Sequence, residues 1–406
     1  MVDSARKPEI LSPAGNPEKL RFAVDYGADA VYLGMKKYGM RSASENFSPE
    51  ELAQGIAYAH ARGAKVYVTA NVMPRQSDVA ELPTFFDSIR ETLPDAFIVS
   101  DPGIMDLLRQ SFPDAPIHLS TQTSTVNAAT CRFWYRQGVR RIVLARELSL
   151  AEIRSIRSEI PDDLELETFV HGAMCVSYSG RCLLSNYYTG RNANEGKCAQ
   201  PCRWKYYVKE EKRGEDILTA EQTEEGTYLF SSKDLRMVDH LAELVEAGIS
   251  CFKIEGRVKS AYYTAAVTNA YRMALDDVLA GRPFNPALLA ETESVSHREY
   301  GTGYFFASPM EQANIVSDNL YLKDRAFLAV VRRYDPETKL AECEQYNKML
   351  LGDRANLLSP GTTGRDITIG ELFDAEMQSI EDTRHPRMTF FLRIDGAKPG
   401  DLIRGL

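Results

Sequence analysis

Ala30-Val-Tyr-Leu33, then Ser48-Pro-Glu-Glu51 opening an amphipathic stretch that runs to Arg62, then Lys65-Val-Tyr-Val-Thr69: the reading of this succession decides the fold. Two short apolar runs, each ending in small or polar residues, flank a segment with helical periodicity. Ser48 is placed to cap that helix, Pro49 takes its first position and Glu51 its third, a strong start signal. Unbroken apolar runs fit strands buried on both faces of a parallel sheet. Outward from this unit the pattern recurs at Glu9-Ile-Leu-Ser12, Ala96-Phe-Ile-Val-Ser100, Pro116-Ile-His-Leu-Ser120, Arg141-Ile-Val-Leu-Ala145, Glu165-Leu-Glu-Thr-Phe-Val170, Tyr228-Leu-Phe-Ser231 and Cys251-Phe-Lys-Ile-Glu255. Helical patterns separate most of the runs, for example Leu235 to Ala247. About eight such units predict a TIM-type (β/α) barrel. There are nine candidate strands, and no helical pattern follows Val170, so either that run or Tyr228–Ser231 is expected outside the barrel. A doubly wound sheet ranks lower, because Ser12-Pro-Ala-Gly-Asn16 supplies one glycine where a phosphate-binding turn needs several.

From about residue 299 the texture changes. Tyr300-Gly-Thr-Gly-Tyr304 is turn-rich. Short alternating runs follow at Phe327–Val331, Arg354–Leu358 and Met388–Arg393, separated by turns such as Asp335-Pro336 and Ser359-Pro-Gly361. The expected organisation is a barrel over residues 1–298, with a cysteine loop at 172–226, and a small antiparallel β-barrel-like domain over residues 299–406.

The chain has 406 residues, 44% hydrophobic and 26% charged, and carries a net charge of −9. No run approaches the roughly 20 apolar residues that span a bilayer. Met1 to Glu9 is polar, without the apolar core of a signal peptide. A cytoplasmic address without membrane contact is expected. The acidic balance argues against non-specific coating of nucleic acid, which rests on summed Lys and Arg contacts to phosphates, but it permits a local basic patch.

Seven cysteines stand at 131, 175, 182, 198, 202, 251 and 343. Four of them cluster as Cys175, Cys182, Cys198 and Cys202, with C-x6-C-x15-C-x3-C spacing. In a reducing compartment such a cluster points to metal before disulfides. Structural zinc sites favour two short knuckles, and the six-residue gap breaks that pattern, whereas iron–sulfur sites take four thiolates at varied spacing. Spacing alone favours iron–sulfur and leaves zinc and unligated thiols open. Between Ala173 and Lys209 six basic residues face a single acid, Glu195, leaving five positive charges. Aromatic rings interleave with them. Arg203, Trp204 and Lys205 in this segment suit an unpaired RNA loop; equally, such cations can offset the charge of a thiolate cluster.

Functional groups of a (β/α) barrel gather where strands end. The catalytic candidates there are His171, Lys233, Asp234, Glu255 and Arg257. The binding candidates are Asn71, Gln122, Arg146 and Glu147. For each taken singly, helix capping or structural pairing is an equally good reading; as a set they predict one polar cavity beside the cysteine loop. Arg257, Arg146 and Lys233 could together hold a dicarboxylate. No H-E-x-x-H or G-x-S-x-G protease motif occurs.

Glu167-Thr-Phe-Val-His-Gly-Ala-Met-Cys175 and Ser179-Gly-Arg-Cys-Leu-Leu-Ser185 resemble the signature of the collagenase-like peptidase family, a peptidase family of unknown type. Glu9–Gly15, Gly27–Tyr32, Ser100–Gly103, His118–Ser120, Arg146–Ser149, Ser232–Leu235 and Lys253–Arg257 extend the resemblance over roughly residues 8–300. The resemblance implies a [4Fe–4S] cluster on the four clustered cysteines. It implies oxygen-independent hydroxylation of tRNA, forming 5-hydroxyuridine at the wobble position, with prephenate as oxygen source and small dicarboxylate co-substrate. Two other activities stay open: a peptidase, as the family name says, and a non-catalytic cluster-bearing subunit, since some relatives work in pairs. A homo- or hetero-oligomer with a family paralogue is compatible with either.

Overall fold

The structure, a computed structural model, describes residues 7–36, 38–39, 45–175, 177–178, 181–204, 222–223, 226–227, 232–306, 322 and 325–406. Eight parallel strands form its centre: β1 (Glu9–Ala14), β2 (Ala30–Gly34), β3 (Lys65–Ala70), β4 (Ala96–Val99), β5 (Ile117–Leu119), β6 (Arg141–Val143), β7 (Glu165–Ala173) and β8 (Cys251–Ile254). Each pairs with its predecessor as far as β7. β8 then pairs with both β7 and β1, which closes the barrel. The doubly wound alternative is therefore excluded. The run at Glu165 is a barrel strand. The other ninth-strand candidate, Tyr228–Ser231, lies outside the described residues, and the barrel closes without it.

Local chemistry explains the helices. Ser48 and Glu51 form a reciprocal capping box with Pro49 inside it, and Ser149 with Glu152 repeats the device. Asp101 caps its helix through Gly103 N–H and Ile104 N–H, so its strand-end position serves the backbone. One helical expectation fails. Asp234–Arg236 is a short strand, antiparallel to the end of β7, and the helix starts later, at Leu241. Tyr300–Gly301 pairs in parallel with that strand and joins the barrel sheet.

The barrel interior is not wholly apolar. Beside the buried cluster of Leu11, Tyr32, Tyr67 and Ile98 run the charges of Glu9, Arg141, Glu165, Glu167 and Lys253. Opposite charges alternate at 2.6–3.6 Å, so each buried charge has a counter-charge within reach.

The C-terminal sheet has seven antiparallel strands, starting at Phe327–Asp335 and ending at Leu402–Gly405. Its edges, Arg365–Thr368 and Leu372–Phe373, do not pair with each other, so it is a half-barrel rather than a closed one. It packs against the barrel through Tyr262 stacked on Phe327 and a buried pair between Arg404 and Glu291. Among the described residues no helix is long and apolar enough to cross a membrane.

Candidate functional site

A cavity of about 500 Å³ opens at the C-terminal ends of the barrel strands, where the fold gathers side chains from several βα turns. Neutral polar groups come from β3 and β5. Asn71, just after β3, donates from Nδ2 to Ser120 Oγ at 3.2 Å. Ser120 caps the turn Thr121–Thr123, on which Gln122 sits. Asn71 Oδ1 and Gln122 Oε1 are buried in the cavity wall with no hydrogen-bond partner among the described residues.

Cations come from beyond β6 and from β8. Arg146 donates to the Ala173 carbonyl at 3.1 Å, with its guanidinium 4.8 Å from the centre of the Phe169 ring. Lys253, in β8, reaches the cavity floor while Nζ pairs with Glu167 at 2.7 Å, and it lies over Tyr32 at 4.6 Å. Arg257 is almost fully buried and donates to Thr69 Oγ1 at 3.2 Å. A Cβ at Gly34 would come within 2.5 Å of the Arg257 guanidinium, so glycine there makes room for it. Lys259, held by the Ser296 carbonyl at 2.8 Å, completes this side. Burial pulls its ammonium pKa down against the upward pull of Asp234.

Cys175, Cys182, Cys198 and Cys202 all border this cavity, together with Glu255 and Arg203. Burial pushes the Cys202 thiol up to about 11; Arg203 pulls it down, and Cys175, Cys198 and Cys182 push it further up. All four thiols are unpaired as disulfides. Among the described residues no three His, Cys, Asp or Glu side chains are arranged to hold a metal ion. The fit to a larger group is one of donor chemistry: four soft thiol donors from one segment, all bordering one cavity.

Five of the expected site residues stand elsewhere. His171 is buried behind the wall, among Tyr263, Tyr271 and Tyr300, with both ring nitrogens 3.3 Å from tyrosine hydroxyls. Burial holds its pKa down to about 3, so it is neutral. The cause of its placement is a register shift where β7 meets β8, between Phe169 and His171, which turns the ring off the barrel axis. Asp234 is clamped by Arg298 at 2.6 Å. Burial raises its carboxyl, but Arg298 and then Lys259 outweigh that and hold it below the usual range. Lys233 pairs with Glu299 away from the cavity. Glu147 does not line the cavity either, and burial raises its carboxyl. Trp204 stands outside with 42% of its surface exposed, its ring 6.4 Å from that of Tyr188. Lys205 lies outside the described residues. The cavity residues not anticipated as site residues are chiefly Lys253, Thr69 and Tyr32. A charge inside the apolar run Cys-Phe-Lys-Ile was the available signal for Lys253.

A cysteine-bordered, cation-lined cavity at the mouth of a (β/α) barrel defines the class. The sequence profile of peptidase family U32 matches residues 15–315, and that of the peptidase family U32 C-terminal domain matches residues 323–404. The chain belongs to peptidase family U32. It is 39% identical to tRNA hydroxylation protein P of Escherichia coli over 398 residues, 87% of this chain and 86% of that protein. It is 36% identical to tRNA hydroxylation protein P1 of Bacillus subtilis, over 96% of this chain and 92% of that one. The 23S rRNA 5-hydroxycytidine synthase of Escherichia coli is 37% identical over 70% of this chain and 41% of its own length.

Proposed function

We propose that this chain is a cytoplasmic enzyme that hydroxylates tRNA, converting a wobble uridine to 5-hydroxyuridine without molecular oxygen. The observation that carries the reading is that one cavity is bordered by all four clustered cysteines and by Arg146, Lys253 and Arg257. Likeness to relatives named for RNA hydroxylation over most of the chain supports it.

A [4Fe–4S] cluster held by Cys175, Cys182, Cys198 and Cys202 would supply one-electron redox chemistry at the cavity's edge. The chain's own residues do the binding. Arg257 and Arg146, with Lys253 on the floor, suit the two carboxylates of prephenate, since guanidinium groups grip carboxylates through parallel N–H bonds. Lys253 here takes the place expected of Lys233. The apolar walls, Ile98, Val143 and Phe169, keep water from the reacting face. Among the described residues no serine or cysteine is hydrogen-bonded to a histidine ring; the ring nitrogens that have partners meet tyrosine hydroxyls, carboxylates or a carbonyl. Among the described residues the peptidase reading therefore has no hydrogen-bonded serine–histidine or cysteine–histidine pair to rest on.

The test expresses the gene in a bacterium lacking its own tRNA hydroxylation proteins and measures tRNA nucleosides by mass spectrometry. Return of 5-hydroxyuridine, and its loss in a host unable to make prephenate, is expected. Unchanged nucleosides overturn the reading.

A further inference from the structure

The residues that line the cavity fall into two groups by exposure. Tyr32, Phe169, Lys253 and Arg257 are all buried. Tyr178 and Val258 are 48% and 49% exposed, and Arg203 and Lys259 are half-buried. Tyr178 is the one exposed aromatic ring among the described residues that line the cavity. Arg203 and Lys259 reach it from different places: the end of the cysteine segment, and the turn between β8 and the long helix Ala261–Leu279. They stand close enough for their charges to interact. Burial chiefly lowers the Lys259 ammonium pKa, against Asp234, and Arg203 adds to the lowering. Two like charges bordering one space repel, and an anion between them answers both.

Carboxylates held by Arg257, Arg146 and Lys253 leave the exposed ring and the two outer cations without a role. A nucleotide supplies both complements: a flat base for the ring and a phosphate for the cations. Enzymes that alter a base draw it out of its stack, at least cost where it is already unpaired. We propose that the opening of the cavity is a separate subsite for the target nucleotide, where Tyr178 stacks on the extruded base while Arg203 and Lys259 hold an adjoining phosphate. This rests on the reading of the cavity as a tRNA-hydroxylation site and divides that site in two, carboxylates inside and nucleotide at the opening. It also sets Tyr178 apart from Tyr187 and Trp204, which do not line the cavity and are left to neighbouring bases of the loop.

The experiment measures binding of anticodon stem-loop RNAs to the full-length protein, purified without exposure to oxygen, at fixed salt. One loop is intact, one lacks the target base, and two carry a neutral methylphosphonate in place of the phosphate on either side of that nucleotide. Tyr178→Ala and Lys259→Met are compared with the unaltered protein, and thermal melting reports whether each folds. The unaltered protein should bind the abasic loop on the order of tenfold more weakly than the intact one. Tyr178→Ala should weaken the intact loop by a similar factor and leave the abasic loop unchanged. Lys259→Met should weaken the intact loop and leave one of the two methylphosphonate loops unchanged. Equal affinity of the unaltered protein for intact and abasic loops overturns the proposal, and this comparison decides alone if a variant does not fold. So does a loss in Tyr178→Ala that is the same for both loops, or a Lys259→Met variant that binds the intact loop as before, which would leave Lys259 to offset the charge of the cysteine site. Failure of the hydroxylation reading is seen separately, as unchanged tRNA nucleosides in cells.

Discussion

His171 illustrates what a single side chain can and cannot reveal. Its folded pKa, near 3, lies below the 6.5 of an unperturbed histidine because burial disfavours the charged ring. As pH falls, the unfolded chain takes up this proton first. Stability from the neutral ring is therefore complete above about 6.5 and declines toward 3, by up to about 1.4 kcal/mol per unit. Replacing it, as His171→Phe, should make the loss of unfolding free energy between pH 7 and pH 5 smaller by about 2 kcal/mol, read from urea titrations at the two pH values. An unchanged loss would show that the ring is not buried in its neutral form. The same residue marks a limit of sequence reading. Its position at a strand end, four residues before Cys175, made it look like a cavity group. Strand alternation predicts direction only while register holds, and the irregularity opposite Lys253 and Ile254 breaks it. Arg257, Asn71, Gln122 and the four cysteines were legible, because each follows directly on a strand or belongs to the spaced cluster.

At the scale of elements, the barrel strands were legible because each is an apolar run buried on both faces. Asp234–Arg236 was not. Its sequence suits a helix start, and pairing with His171–Ala173 on one side and Tyr300–Gly301 on the other makes it extended; tertiary hydrogen bonding overrode a weak local preference. The cysteine loop presents the opposite case, with composition speaking plainly. Its outer face carries Leu183, Tyr187, Tyr188 and Trp204, with Tyr187 83% exposed. Arg191 is on the same segment and Arg203 borders the cavity. Rings so exposed at the rim suit stacking on unpaired bases, with cations for the phosphates. Tyr187→Ala should weaken tRNA binding by ~1–3 kcal/mol at fixed salt while the slope of affinity against salt stays the same, since no phosphate contact is lost. Arg203→Ala should flatten that slope by about one charge. If both variants bind tRNA with unaltered affinity and slope, these groups serve the cysteine site alone and the rim is not an RNA surface.

Across the whole molecule, the cavity and the C-terminal sheet are built apart. Among the described residues none beyond Ser296 lines the cavity. The sheet instead grips the barrel's first and last helical layers: Tyr26 hydroxyl lies 3.0 Å from the Leu358 and Gly400 carbonyls, and Asn269 bonds Gly361 and Thr362. At the centre of this seam Arg404 forms a two-bonded pair with Glu291 at 2.7 and 2.8 Å, and both side chains are almost completely buried. Arg404 also reaches Asn356 Oδ1 at 2.9 Å, which ties the last strand, Leu402–Gly405, to its neighbour Arg354–Leu358. Removing one partner from such a pair leaves a buried charge unanswered, at a cost of about 3–5 kcal/mol. Glu291→Ala should therefore lower the melting temperature and, in calorimetry, split one cooperative transition into two, because the seam that couples the sheet to the barrel fails first. A double change, Glu291→Leu with Arg404→Met, should recover most of the stability, since apolar groups of similar volume can replace a buried pair. A single transition at the original temperature in Glu291→Ala would mean that the apolar contact of Tyr262 with Phe327 couples the two units by itself.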